Sequence, residues 1–347
     1  MAIDLLAIQT DHERSVLAAF REAIQSVRDA ATISQIERLL EAGDVEGVIT
    51  LLDLDQATFE PLEEAIRQAY REGGMTGAEQ IGDIPIEAGT VTARFSMQSP
   101  EAIAWLSNLS SRMITEIVDE QRQMVRERLT EALAEGINPR TAALDLVGRI
   151  DQRTKKRVGG FIGLTSGQAR WAANARRELV ELDGNYFTRQ LRDKRYDSVV
   201  RKAIEEGKPL NQTQIARIIN SMQQKILKYR GDVISRTESL NALRAGQFEA
   251  IRQAAQKGEI DLQDVKKWWD ATGDARTRLD HLQMEQIYGA DNAIPFTMAF
   301  IAPDGSRMNY PGDVTMGASA AQVIQCRCRC VYTIDFIARQ ARVEGFR

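Results

Sequence analysis

The chain has 347 residues, 43% hydrophobic and 27% charged, a make-up that excludes a disordered or fibrous polypeptide and is long enough for two or three domains. Its formal net charge of −4 hides an asymmetry. Residues 1–150 carry 13 Arg and no Lys against 26 acids, residues 151–230 carry 18 bases against 8 acids, and residues 231–347 carry 14 against 15.

A basic middle between an acidic front and a neutral tail suits contact with nucleic acid or an acidic partner; equally, the acidic front can neutralise the middle within the fold. The apolar run at residues 5–8 is too short for a signal peptide or a membrane span and follows Asp4, not a basic flank, so synthesis in the cytoplasm is expected. All three cysteines fall within five residues, which is no disulfide framework and leaves reduced thiols, a metal site or packing.

In chain order, Leu17, Phe20, Ile24 and Val27 recur at helical spacing behind a Thr10-Asp11 start signal. Phe59, Leu62, Ile66 and Tyr70 repeat the pattern, and Gly73-Gly74 is expected to stop it. Residues 73–90 read as Gly-rich and irregular. Val91, Ala93, Phe95 and Met97 alternate with polar residues, as in a short half-buried strand.

Ser99-Pro100-Glu101 starts a helix: Ser caps free amides, Pro suits the first turn, and Glu faces the positive end of the dipole. Its apolar stripe runs through Ile103, Leu106, Met113, Ile117 and Leu129 to a stop at Gly136, and Asn138-Pro139 starts the next helix. Thr165 and Gln168 have capping-box spacing before a helix that should reach about Leu182. Residues 211–255 are nearly all helix formers, in one long helix or in two broken at Gly231 or Gly246.

Beyond residue 258 aromatic, Pro and Gly residues become frequent and runs shorten. Strands are expected at 265–269 and 328–336, a helix at 276–287, and a hairpin turn at Pro303-Asp304-Gly305. The predicted fold class is therefore α+β, in three stretches: a helical acidic arm (1–90), a middle of long helices that is basic from 151 (91–257), and a small α+β domain (258–347).

Several constellations in the tail bear on chemistry. Alternation in a strand would put Cys326, Cys328 and Cys330 on one face, and His281 would complete a Cys₃His zinc set. Zinc motifs usually wrap a knuckle with C-x₂-C pairs, however, and buried Cys packs as a small hydrophobe, so packing is the leading reading and no cofactor is expected. His281 has carboxylates nearby but lacks the usual partners of an acid/base site, and no phosphate loop or nucleophile elbow occurs. Trp268-Trp269 suits either base stacking or one ring in the core with its neighbour as cover.

Arg276 and Arg278 are expected to bridge internally to Asp270 and Asp274. Arg236 and Glu238, two apart on a helix, point different ways and each needs another partner. Tyr310-Pro311-Gly312-Asp313 is a turn fixed by Pro and Gly.

Taken in order, Trp268, Asp274, Arg276, Arg278, His281, Pro311-Gly312-Asp313 and Cys326-Arg327-Cys328 resemble the C-terminal domain of the phage Mu F-like head morphogenesis (minor head protein) family. Upstream, Phe161-Ile162-Gly163-Leu164-Thr165 with Gln168 resembles its Gly-Leu-Thr helix start. Ile234-Ser235-Arg236-Thr237-Glu238, followed by Gly246, resembles its Arg-Thr-Glu helix. The resemblance spans about residues 95–335. One departure is the extra Arg329-Cys330, which leaves open which cysteine pair is equivalent. Some relatives carry a further enzymatic or toxin domain; seventeen residues follow Cys330, so none is expected here.

The resemblance implies a non-enzymatic, virion-associated protein of a tailed phage head. Its implied partners are the portal protein, the major capsid or scaffold protein, packaged double-stranded DNA and further copies of itself, with no membrane. The signature residues would be structural or form an interface. Arg170, Arg176, Arg177, Arg189, Arg192, Lys194, Arg195, Arg201 and Lys202 would contact DNA without reading its sequence. Two alternatives are a metal-dependent nuclease or hydrolase built on His281, nearby carboxylates and the cysteines, and a DNA-binding module unrelated to phage.

Overall fold

The computed structural model describes residues 5–86 and 89–336. Helix α1 (Leu5–Asp29) is followed by α2 (Ile33–Glu41), α3 (Val45–Leu51) and α4 (Glu60–Ile81), then by a hairpin of β1 (Asp83–Ile86) and β2 (Gly89–Thr92). Helix α5 (Pro100–Trp105), a π-helical turn (Leu106–Ser110), α6 (Ser111–Ala134) and α7 (Pro139–Val147) lead to a two-residue ribbon of β3 (Arg149–Ile150) and β4 (Arg157–Val158). Helices α8 (Ser166–Glu181), α9 (Asp197–Glu206) and α10 (Gln212–Gln256) complete the helical part.

The tail contains β5 (Val265–Asp270), α11 (Leu279–Tyr288), β6 (Ile294–Pro295), β7 (Phe300–Ile301), β8 (Arg307–Met308), α12 (Ala320–Val323) and β9 (Arg329–Ile334). The class is α+β: long helices with small antiparallel sheets.

Local signals account for many helix starts. Thr165 and Gln168 form a reciprocal capping box at α8, Ser99 accepts from Ala102 N at α5, and Asn138 accepts from Arg140 N and Thr141 N at α7. Other expectations are corrected. Helix α1 begins before Thr10-Asp11. The helix from residue 99 is interrupted by the π turn and is not continuous. Pairing in β2 ends at Thr92, short of Phe95 and Met97, and residues 73–81 are helical.

Gly73-Gly74 does not end α4, because α4 and α10 meet backbone to backbone there. A Cβ on Gly73 would lie 2.0 Å from Leu243 O, and one on Gly246 would lie 2.1 Å from Tyr70 O. Close approach outweighs the roughly 1 kcal/mol that glycine costs in a helix interior. For the same reason Gly246 does not break α10, which also runs on through Gly231 and is continuous over 45 residues.

Contacts group the chain into two compact units, which interleave where the division read from the sequence was linear. One draws its described residues from Met1–Leu17, Glu63–Ser111 and Val233–Arg347, the other from Ala18–Leu62 and Arg112–Asp232. In the second, a buried loop at 160–165 is held through its backbone. Arg28 donates to Ile162 O, Arg230 to Gly163 O and Gln121 to Leu164 O, while Gly163 N and Gly160 N donate to Gln121 and Gln223. A loop can be buried only if its peptide groups find such partners.

In the first unit, an apolar cluster joins Ala78, Ile81, Ile84, Ile251, Ile260, Val265 and Phe296. Its three-stranded sheet has the order β6-β5-β9, all antiparallel, with register Val265↔Ile334 through Asp270↔Arg329. Strands β7 and β8 form the expected hairpin across Pro303-Asp304-Gly305.

Candidate functional site

The densest chemistry lies in the C-terminal part of the first unit. Strand β5 turns Trp269, fully buried, toward the edge of the His281 ring (centroids 5.2 Å apart), while Trp268 is half-buried. His281 sits in the first turn of α11 and is 1% exposed. Its Nε2 lies 3.0 Å from Gln322 Oε1, and Gln322 Nε2 donates to Asp280 Oδ2 at 2.8 Å. An amide oxygen only accepts, so the ring carries its proton on Nε2 and aims a free Nδ1 lone pair the other way. That lone pair meets two sulfurs, Cys328 Sγ at 3.3 Å and Cys326 Sγ at 3.7 Å, both buried.

Strand β9 begins only at Arg329, so Cys326 and Cys328 lie in the irregular approach to it. Gln325 there takes a left-handed φ of +56° and donates its backbone N–H to Thr237 Oγ1 on α10. This turn brings both sulfurs to the imidazole. Cys330 is not in the group: it pairs with Trp269 in the sheet, and burial pushes its thiol up to about 11 beside Lys267. The expected single face of three thiols is thus replaced by a group of two with His281. Within the pair, the Cys326 thiol is held below its ordinary value, because Cys328 donates to it and the Arg244 guanidinium favours the anion. Cys328 is correspondingly held up by that bond and by burial.

Buried polar side chains pin the surrounding loops. Arg244 donates to Pro311 O at 3.1 Å and to Cys326 O at 3.0 Å. Gly312, at φ +90°, leaves room for it: a Cβ there would stand 3.2 Å from Arg244 Nη1. Asp313, fully buried, accepts from the backbone N–H groups of Asn309 and Thr315 and from the Thr315 hydroxyl. Lys267, also fully buried, donates to Asn309 O at 2.7 Å with its ammonium over the rings of Phe248, Phe296 and Phe300; burial pushes it down to about 8. Asp274 is clamped at both oxygens by Arg327, at 2.6 Å each, which holds its carboxyl well below the usual range.

The expected bridges from Arg276 and Arg278 hold in one case. Arg276 reaches Asp274 at 3.6 Å, whereas Arg278 donates to Ile324 O and Asp270 pairs with Arg329. Arg236 pairs with Glu13, and Glu238 is half-buried on the same helix.

All nine basic residues expected at DNA lie in the helical unit. Arg176 pairs with Asp145, Arg189 with Glu178, Arg192 with Asp197 and Arg195 with Asp193. Lys202 reaches Glu206 at 3.7 Å, and Arg201 lies over the Phe187 ring. Arg170, Arg177 and Lys194 are exposed, the first two seven residues apart on α8 beside the exposed Trp171. Much of the basic middle is therefore neutralised by carboxylates of its own segment. Arg157–Asp29 and Arg176–Asp145 link it to the acidic front, within which Arg126–Glu46 and Arg140–Glu37 pair as well.

Sequence reasoning did not single out Gln322, Arg244 or Lys267, since no local spacing links them to the cysteines. A Lys inside an otherwise apolar strand pattern was the available signal for Lys267. Among the described residues, no helix is long and apolar enough to cross a membrane. No curated protein and no solved structure matches the chain significantly. Residues 194–331 match the model of the family described as Phage Mu protein F like protein, a narrower span than the resemblance suggested.

Proposed function

We propose that the protein acts in head morphogenesis of a tailed phage. It would be a minor, non-enzymatic component of the virion, associated with the portal vertex and touching the packaged DNA. The observation that carries this reading is the family match over residues 194–331, which includes the cysteine and histidine cluster and the whole of α10. The buried clamps made by Arg244, Lys267 and Asp313 support a structural role for the signature residues, because each satisfies loop backbone or side-chain groups in the interior. The other partners in this reading are the capsid shell or scaffold protein and further copies of the chain.

The DNA interaction is assigned to Arg170, Arg177, Lys194, Arg201 and Lys202, which are exposed. Arg176, Arg189 and Arg192 are committed to carboxylates. Removing one cation that neutralises a phosphate should lower the slope of log affinity against log salt by about 0.9. Replacing Arg170, Arg177, Arg201 and Lys202 together by Ala should flatten it by several such steps; an unchanged slope would remove DNA from the reading. The deciding experiment is mass spectrometry of gradient-purified DNA-filled particles and of empty proheads from an induced lysate. A minor head protein appears in both at a few to tens of copies. Its absence from particles defeats the proposal.

A further inference from the structure

The geometry points to a buried zinc site formed by His281 Nδ1, Cys326 Sγ and Cys328 Sγ, a site of two thiolates and one imidazole with water as the fourth ligand. The three ligand atoms all lie within 4.8 Å of one another, and each residue is buried. With Zn–N near 2.0–2.1 Å and Zn–S near 2.3 Å, nitrogen and sulfur on one tetrahedral zinc stand about 3.6 Å apart. The separations here, 3.3 Å and 3.7 Å, straddle that value. A set of thiol-to-imidazole hydrogen bonds explains the arrangement less well, because Nδ1 offers one lone pair and two sulfurs converge on it.

A second observation is independent of the ligand distances. The far side of the imidazole is held by Gln322, and Gln322 in turn by Asp280, at 3.0 Å and 2.8 Å. Such an outer relay fixes the tautomer that presents Nδ1 as a ligand, as metal-binding histidines generally require. Charge also balances. Two thiols lose their protons to solvent on binding, and Zn²⁺ with two thiolates and a neutral imidazole carries no net charge into the interior. Soft thiolates with imidazole favour zinc over magnesium or calcium. No further His, Cys, Asp or Glu joins the group among the described residues, so water completes the tetrahedron. Cys330 is excluded as a ligand because it belongs to the sheet beside Lys267.

The test uses the full chain, purified under reducing conditions without chelator. Bound metal is counted by plasma mass spectrometry, and cobalt is exchanged in to read thiolate-to-metal charge transfer in the near ultraviolet. About one zinc per chain is expected in the wild type and in Cys330→Ser. Cys326→Ser and Cys328→Ser should lose most of it. Gln322→Leu should keep the site but weaken it about 10–100-fold in competition with a chelator, the effect of removing an outer partner.

A folded wild type with neither zinc nor a cobalt–thiolate band overturns the proposal, whatever the fate of the serine variants. So does zinc retained undiminished in both serine variants, or a Cys326–Cys328 disulfide in the protein as isolated.

Discussion

Helix α10 places a buried arginine in each of the two units, and the pair behaves alike up to a point. Arg230 donates to Gly163 O and reaches Glu120; Arg244 donates to Pro311 O and Cys326 O. Burial lowers Arg230 from its ordinary value, and both guanidiniums face carbonyl oxygens in place of water. A buried cation is tolerated only with such partners, so each arginine fixes the loop it touches. The two loops differ in what they carry. The one under Arg230 passes into the capping box of α8, whereas those under Arg244 hold the signature turn and the first cysteine of the cluster. Buried arginine is thus a device of the fold in both units, and the chemistry belongs to the side chains the loop goes on to present.

The largest loss is expected at Gly246, where α10 needs close approach before Arg244 can reach its loops. Gly246→Ala would drive a Cβ to 2.1 Å from Tyr70 O, which is backbone and cannot swing aside. Overpacking of this kind should cost about 3 kcal/mol or more in urea unfolding. A loss under about 1 kcal/mol would mean that the helices separate freely.

Next come the arginines themselves. Arg244→Met orphans two buried carbonyls and should cost about 2–4 kcal/mol, while Arg230→Met orphans one and should cost about 1–3 kcal/mol. Equal losses would break the distinction between the two loops.

Acid offers a smaller test of the same contrast. The Asp193 carboxyl, on a buried side chain, is held well below the usual range by Arg195, helped by Ser221 and Lys225; Asp274 is held down by Arg327 but is 37% exposed. A depressed folded value stabilises the protein fully above the unfolded carboxylate value of about 4, and that stability is lost as pH falls through the folded value. Solvent screening discounts Asp274. The Tm advantage of wild type over Asp193→Asn should therefore be full at pH 6 and shrink below about pH 4. The matching difference for Asp274→Asn should be smaller, and the reverse order would show that exposure does not govern the two pairs. The smallest effect is expected for Thr165→Ala, about 1 kcal/mol from the lost cap of α8.

The sequence by itself determined what is decided within a few residues. Ser99, Asn138 and Thr165 cap the helices they were expected to cap, since a side-chain oxygen reaches the amides two or three positions on regardless of the rest of the fold. The hairpin at Pro303-Asp304-Gly305 and the one-in, one-half-out placement of Trp269 and Trp268 follow equally local rules of turn chemistry and strand alternation.

Tertiary structure alone decided the rest. Gly73-Gly74 reads as a stop, yet it is helix interior, because the gain from close packing against α10 exceeds the local cost of glycine. Cys-Arg-Cys-Arg-Cys reads as one strand face, yet Gln325 takes a left-handed turn held by Thr237, 88 residues away, which divides the cysteines between a sheet and the His281 cluster. Gln322 and Arg244 complete that neighbourhood from 41 and 82 residues away in the chain. Spacing along a sequence carries no trace of partners so distant, whereas burial leaves their polar groups no choice but one another.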